Sequence, residues 1–237
     1  MITYNKYPFL RRTIAAILDS VDESKDTELL IYNNGSTDYT TKYLPMLEHA
    51  CPEYIKCKVF YGDENIGLNA YGVIVPEATG DIIVTIDDDI FDIQPRGWEK
   101  IFRKALHTRF DGRRFGYVST DTMNKDGGRL PDQAIGLASI GGLNIEVGPA
   151  GGWFAATTRE VVDLVGGFHT GKGKMHLEDL DFQRRVWEKG LLVGTVLNIE
   201  VFHARSPEVY KRFGREDTYL EKMRLAQLEG ITLEPLA

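Results

Sequence analysis

Along the first ninety residues the apolar positions switch between strand-like runs and helical spacing. Ile2–Tyr4 is a short extended candidate. From Pro8 onward, Leu10, Ile14, Ile17, Leu18 and Val21 fall on one helical face, with proline at the helix start. Leu29–Tyr32 is an apolar run ending in the turn-prone Asn33-Asn34-Gly35-Ser36. A helix carrying Tyr39, Tyr43 and Leu47 follows, and Pro45 is expected to kink or shorten it. Lys58–Tyr61 reads as a strand and Ile66–Ala78 as helical. Ile82–Ile86 is continuous and β-branched, the pattern of a strand buried on both faces.

Strands alternating with helices predict an α/β fold with a mostly parallel central sheet and helices on both faces. In such sheets ligands bind at the carboxyl ends of strands. Asn33-Asn34 and Asp87-Asp88-Asp89 both sit at predicted strand ends, so two strands deliver polar groups to one edge.

Beyond residue 90 the pattern loosens. Trp98, Ile101, Phe102, Ala105 and Leu106 mark an amphipathic helix, and Asp121–Gly152 reads as loops and short strands. Glu178–Lys189 is a helix closed by Gly190. Leu191–Leu197 and Ile199–Phe202 are strands, and one last helix covers Pro207–Leu228.

The 237 residues are 43% hydrophobic, enough for one sizeable core. A net charge of -7 with only paired basic residues (Arg11-Arg12, Arg113-Arg114, Arg184-Arg185) argues against a nucleic-acid partner. Cys51 and Cys57 fit neither a C-x-x-C nor a zinc pattern; a disulfide between them is open, and a reducing cytoplasm fits equally. No apolar run is long enough for a transmembrane segment, so the expected setting is cytoplasmic, with any membrane contact peripheral.

Three adjacent carboxylates would be costly in a core, but at a strand end Asp87-Asp88-Asp89 can face Mg²⁺ or Mn²⁺, ions that also bind phosphates. The alternative is a solvated acidic turn. Glu178-Asp179 reads as a general base poised at a helix start, or as acidic residues complementing the helix dipole. Gly151-Gly152 before Trp153-Phe154 lets a backbone approach a ligand, or makes a plain turn. His203 at a strand end is a metal-ligand candidate only where the fold brings it to the aspartates; otherwise it is structural. Gly166–Lys174, with Lys172 and Lys174, reads as a lid over donor phosphates or as an exposed loop.

Taken in order, Thr3-Tyr4-Asn5, Asn33-Asn34-Gly35-Ser36-Thr37-Asp38, Glu64-Asn65-Ile66-Gly67, Asp87-Asp88-Asp89, Gly151-Gly152, Glu178-Asp179 and His203 resemble the family 2 glycosyltransferases. The resemblance implies a GT-A (Rossmann-like) fold: a mostly parallel central sheet with helices on both faces and a smaller mixed sheet on the acceptor side. It implies one domain over 1–237, with a nucleotide-binding half (1–90), an acceptor and catalytic half (91–205) and a C-terminal helical extension (206–237). It also implies an inverting, Mn²⁺- or Mg²⁺-dependent transfer from a nucleotide-sugar to a glycan or other hydroxyl acceptor. A UDP-sugar is the leading donor, with GDP- and dTDP-sugars as alternatives.

Carried over to this chain, Thr3, Tyr4, Asn5, Asn34, Gly67, Asp87 and Asp88 would bind the nucleotide. Asp89, Asp87 and His203 would hold the metal. Gly151, Gly152 and Trp153 would form the donor and acceptor loop. Asp179 would be the general base, with Glu178 on the acceptor. Two departures stand out. Asn33 and Asn34 replace the usual aspartates, so Asn34 can meet a base N–H only as a neutral acceptor. The first strand is shorter than in relatives, either truly short or lacking residues at its start. A nucleotidyltransferase would carry a Gly-rich basic signature where Tyr4-Asn5-Lys6-Tyr7-Pro8 stands. A non-catalytic binding module is disfavoured by Asp179 together with Asp87–Asp89.

Overall fold

A computed structural model of the protein describes residues 1–23, 27–124, 133–168 and 178–229. The chain opens with β1 (Ile2–Thr3), α1 (Tyr7–Ser20), β2 (Thr27–Asn34), α2 (Thr40–Ala50) and β3 (Ile55–Gly62). A 3₁₀ turn at Gly67–Ala70 runs into α3 (Tyr71–Ile74), followed by β4 (Ile82–Ile86) and β5 (Ile90–Gln94). The middle contains α4 (Trp98–His107), β6 (Arg109–Phe110), β7 (Arg113–Thr122), β8 (Gly136–Ile140) and β9 (Leu143–Val147). The rest is β10 (Phe154–Thr158), α5 (Arg159–Val165), α6 (Glu178–Glu188), β11 (Leu192–His203), α7 (Pro207–Arg212) and α8 (Glu216–Leu228).

Two hydrogen-bonded sheets result. β1, β2 and β3 form a parallel sheet, in which Ile2 pairs with Tyr32 and Asn34 with Gly62. The larger sheet runs β4-β10-β7-β11-β9-β8, with β5 beside β11 and β6 beside β7. Within it only β7 and β11 are parallel; β10 returns antiparallel between β4 and β7. The α/β class expected from the pattern holds, and the parallel strands make up the smaller of the two sheets. Between β2 and β4 lies a cavity of about 560 Å³, lined by Met1, Leu29, Ile55, Ile83 and Phe154.

The buried residues explain the layering. α1, α2 and α4 bury Leu10, Ile14, Ile17, Leu44, Leu47 and Phe102 in one cluster with β2, β3, β7 and β9. On the opposite side, α3, α5 and α6 bury Tyr71, Ile74, Val161, Phe182 and Val186 against Tyr117, Ala155 and Val193. β4 serves both: Ile83 belongs to the second cluster and Ile86 to the first, as period-2 alternation requires. A third cluster of Phe9, Phe91, Tyr210 and Phe213 fastens α7 to α1 and β5.

Several boundaries differ from the sequence reading. Asn33 and Asn34 are not turn residues: they end β2 in ladder with Tyr61 and Gly62, and the turn begins at Gly35, where φ is +72°. α2 runs unshortened through Pro45, which sits on the exposed face, where water can reach the carbonyl left unbonded. The helical stretch after Ile66 is limited to residues 67–74. The two strands at 191–202 are one strand, β11, with a register shift between Val196 and Glu200. The last helix is broken in two at Gly214, whose φ of +64° ends α7. Among the described residues no helix is long and apolar enough to cross a membrane, and Cys51 and Cys57 are free thiols.

A candidate active site at the strand ends

β4 stops at Ile86, and Asp87 leads into a turn at Asp88 and Asp89 that divides the three side chains between different neighbours. Asp88 turns inward: Thr3 Oγ1 donates to its Oδ2 at 2.8 Å and Lys6 Nζ to its Oδ1 at 2.9 Å. Asp87 and Asp89 turn toward the end of β11. His203 Nε2 lies 3.4 Å from Asp89 Oδ1 and 3.8 Å from Asp87 Oδ2. One ligand atom from each of these three residues lies within 4.8 Å of the others. Two ligands about 2.1 Å from a common ion lie roughly 3–4 Å apart, so the set fits a small divalent cation. Carboxylate oxygens with one imidazole nitrogen favour Mn²⁺ over Mg²⁺.

The other oxygen of Asp89, Oδ2, is already engaged. Lys6 Nζ donates to it at 3.0 Å and the Tyr210 hydroxyl at 3.1 Å. Burial pushes the Asp89 carboxyl up, but Lys6, His203 and Lys222 outweigh it and hold the group well below the carboxylate range. Asp87 goes the other way, pushed to about 7 by burial and by the Asp89 charge. Burial lowers the Lys6 ammonium, yet Asp88 and Asp89 together raise it well above its ordinary value.

Backbone bonds tie the pieces together. Asp87 N donates to Trp153 O, and Ala204 N to Asp89 O, each at 2.8 Å. Asn124 brackets His203, donating to its carbonyl at 2.9 Å and accepting from its N–H at 3.1 Å. Trp153 is buried, with its indole N–H on Thr120 Oγ1 at 3.2 Å and its ring 5.6 Å from the His203 ring. It packs the site as a core side chain.

The two glycines have separate reasons. A Cβ on Gly151 would fall 1.9 Å from the Trp153 ring, and one on Gly152 would fall 2.6 Å from Asp179 Oδ2. Gly152 is therefore the surface against which the Asp179 carboxylate rests. Asp179 stands in the first turn of α6, where Leu180 N donates to its Oδ1 at 2.9 Å. Burial raises both acids of this pair. At Glu178 the Asp179 charge adds to the effect of burial.

After β1, Asn5 has a positive φ of +50° and accepts from Thr37 N at 2.7 Å and Asp38 N at 3.2 Å. Asn34 accepts from Ile66 N at 2.8 Å and donates to Gly67 O at 3.0 Å, so its amide clamps the 66–67 turn. Thr3, Tyr4, Asn5, Asn34, Gly67, Asp87, Asp88, Asp89, Gly152, Trp153, Glu178, Asp179 and His203 all line one cavity of about 490 Å³. Gly151 lies just beneath it, bonded through its carbonyl to the Tyr117 hydroxyl. Of the loop with Lys172 and Lys174, everything from residue 169 to 177 lies outside the described residues.

Lys6, Tyr210, Arg205 and Lys222, in this cavity or its wall, were not among the site residues singled out in the sequence. Tyr210 is 121 positions from Asp89. A local pattern carries no trace of such a pairing.

The chain matches the model of glycosyl transferase family 2 over residues 1–139, more than half its length, and belongs to that family. Among solved structures it is similar to the mannosyltransferase PcManGT from Pyrobaculum calidifontis in complex with GDP-Man and Mn²⁺ (TM-score 0.67, 20% identity, 99% of this chain and 64% of that one). It is also similar to GalNAc-T7 with UDP, GalNAc and Mn²⁺ (TM-score 0.65, 16% identity, 85% and 42%). A third likeness is to residues 1–349 of S. aureus TarS (TM-score 0.61, 14% identity, 98% and 65%). These likenesses bear out the GT-A fold. The chain spans less than two-thirds of the length of each. No curated protein matches the chain.

Proposed function

We propose that the chain transfers a glycosyl group from a nucleoside-diphosphate sugar to an acceptor hydroxyl, with inversion at the anomeric carbon. The observation that carries this reading is that Asp179, resting on Gly152, opens into the same cavity as the Asp87–Asp89–His203 cluster. Asp87, Asp89 and His203 would hold Mn²⁺ or Mg²⁺; when bound, such an ion offsets phosphate charge near the bond to the sugar.

The remaining work falls to the chain's own residues. Thr3–Asn5, Asn34 and Gly67 line the nucleoside end of the cavity, and the open edge beside Gly152 takes the acceptor. Asp179 accepts the acceptor hydroxyl's proton as that oxygen bonds to the anomeric carbon. The carbon–oxygen bond to the diphosphate breaks, and its electron pair leaves with the nucleoside diphosphate. Glu178, the neighbour of Asp179 in the same cavity, hydrogen-bonds the acceptor. A UDP-sugar is the first donor to test, with GDP- and dTDP-sugars next; the similar structures hold GDP-Man or UDP.

The test is thermal stability with UDP, GDP and dTDP, with and without Mn²⁺. A nucleotide at 100 times its dissociation constant adds about 2.7 kcal/mol. Stabilisation by one nucleotide, dependent on Mn²⁺, is expected; its absence for all three would sink the reading. Asp179→Asn should keep that stabilisation and lose about 10²–10⁴-fold in turnover. The anomeric configuration of the product, read by NMR, decides inversion.

A further inference from the structure

The C-terminal helix α8 forms one wall of the candidate active site. Thr218, Lys222 and Leu225, spaced four and three residues apart, present one helical face to the cavity, and Tyr219 and Met223 flank it. Arg205, two residues after His203 at the end of β11, lines the same cavity. Lys222 and Arg205 line the same cavity as Asp87 and Asp89, and no described side chain forms an ion pair with either. The other cations nearby are committed: Lys6 to Asp88 and Asp89, and Arg215 to the Asn5 carbonyl and to Asp38.

Charge balance gives these two side chains a task. With both ionised around a divalent ion, Asp87 and Asp89 would carry two negative charges, which the ion would cancel. A nucleoside-diphosphate sugar brings roughly two more, and on breaking its bond to the sugar the diphosphate gains a further one. Among the described residues of the cavity, Lys222 and Arg205 are the cations left to meet that charge.

Resting on the transferase reading above, we propose that Lys222, with Arg205 in the same cavity, binds the donor's diphosphate and neutralises the nucleoside diphosphate as it leaves. α8 is thereby the leaving-group wall of the site. The bond that breaks is the one between the anomeric carbon and the β-phosphate oxygen. Both electrons go to that oxygen, and the acceptor proton goes to Asp179.

The experiment compares UDP with UMP, GDP with GMP and dTDP with dTMP by calorimetry in Mn²⁺, on wild type, Lys222→Met and Lys222→Arg. Lys222→Met keeps the aliphatic stem, and an unchanged melting temperature shows that the wall is intact. The expected result is a loss of about 10- to 100-fold in diphosphate affinity. Monophosphate affinity should stay within about twofold, and Lys222→Arg should recover most of the loss. Equal binding of the diphosphate by wild type and Lys222→Met, or an equal loss for both nucleotides, would overturn the role of Lys222 and leave the transferase reading standing. Failure of wild type to bind any of the six nucleotides would overturn both.

Discussion

Lys6 is the residue whose removal the structure prices most directly. Its ammonium bridges Asp88 at 2.9 Å and Asp89 at 3.0 Å; its side chain is 12% exposed, and those of the partners 9% and 1%. At an effective dielectric of about 20, each pair is worth about 5 kcal/mol in Coulomb energy. Exposing the lysine in the unfolded chain returns several kcal/mol of hydration, and breaking a buried pair typically costs about 3–5 kcal/mol net.

Lys6→Met preserves the stem and deletes the charge, so a loss of about 3–5 kcal/mol at neutral pH is expected. In a chain of this length that is a fall of roughly 6–20 °C in Tm. The pH dependence follows from the two shifts. Asp89 has a depressed pKa, so its contribution is present above the ordinary carboxylate value and lost as pH falls through the lower folded value. Lys6 has a raised pKa, so its contribution is present below its ordinary value and lost as pH rises through the folded one. Both are complete at pH 7.

Urea and thermal melts in chelator, then in saturating Mn²⁺, give the assay. Positive charge bound at Asp87, Asp89 and His203 partly replaces Lys6, so Mn²⁺ should stabilise Lys6→Met more than wild type. A loss below about 1 kcal/mol in chelator, or a gap that Mn²⁺ does not narrow, would refute the assignment of Lys6 as the counter-charge of the buried aspartates.

One further prediction concerns the glycine loop. Gly152→Ala puts a methyl group 2.6 Å from Asp179 Oδ2, so turnover should fall by about 10²-fold while Mn²⁺-dependent nucleotide stabilisation persists; unchanged turnover counts against Asp179 resting there.

Much of the first ninety residues could be read without coordinates. α1, β2, β3 and β4 bury one face or both, and burial writes a period of 3.6 or 2 into the residue types. The D-x-D pattern at the end of β4 is legible as chemistry, while the turn that holds it sends Asp87 and Asp89 to His203 and Asp88 to Thr3. The strand β7 escaped notice although it lies between β10 and β11, because Gly116, Ser119 and Thr120 interrupt its apolar run. Gly116 has to be small: a Cβ there would meet Val186 at 2.8 Å and Leu191 at 2.9 Å, contacts made only by the folded chain.

The sequence by itself therefore determined the α/β class, the order of the early elements and which residue types stand at the strand ends, because these follow from local periodicity and from the chemistry of single side chains. Tertiary structure alone decided which of those side chains meet. It brought His203 to Asp87 and Asp89 by placing β11 two strands from β10, itself the partner of β4. It set Gly152 under Asp179, and it spent the Asn34 amide on the 66–67 turn. It also gave Lys6 and Tyr210 to Asp89 and turned Lys222 into the cavity. Such pairings arise when distant segments pack and must satisfy buried charge, a constraint that acts across space and leaves no spacing along the chain.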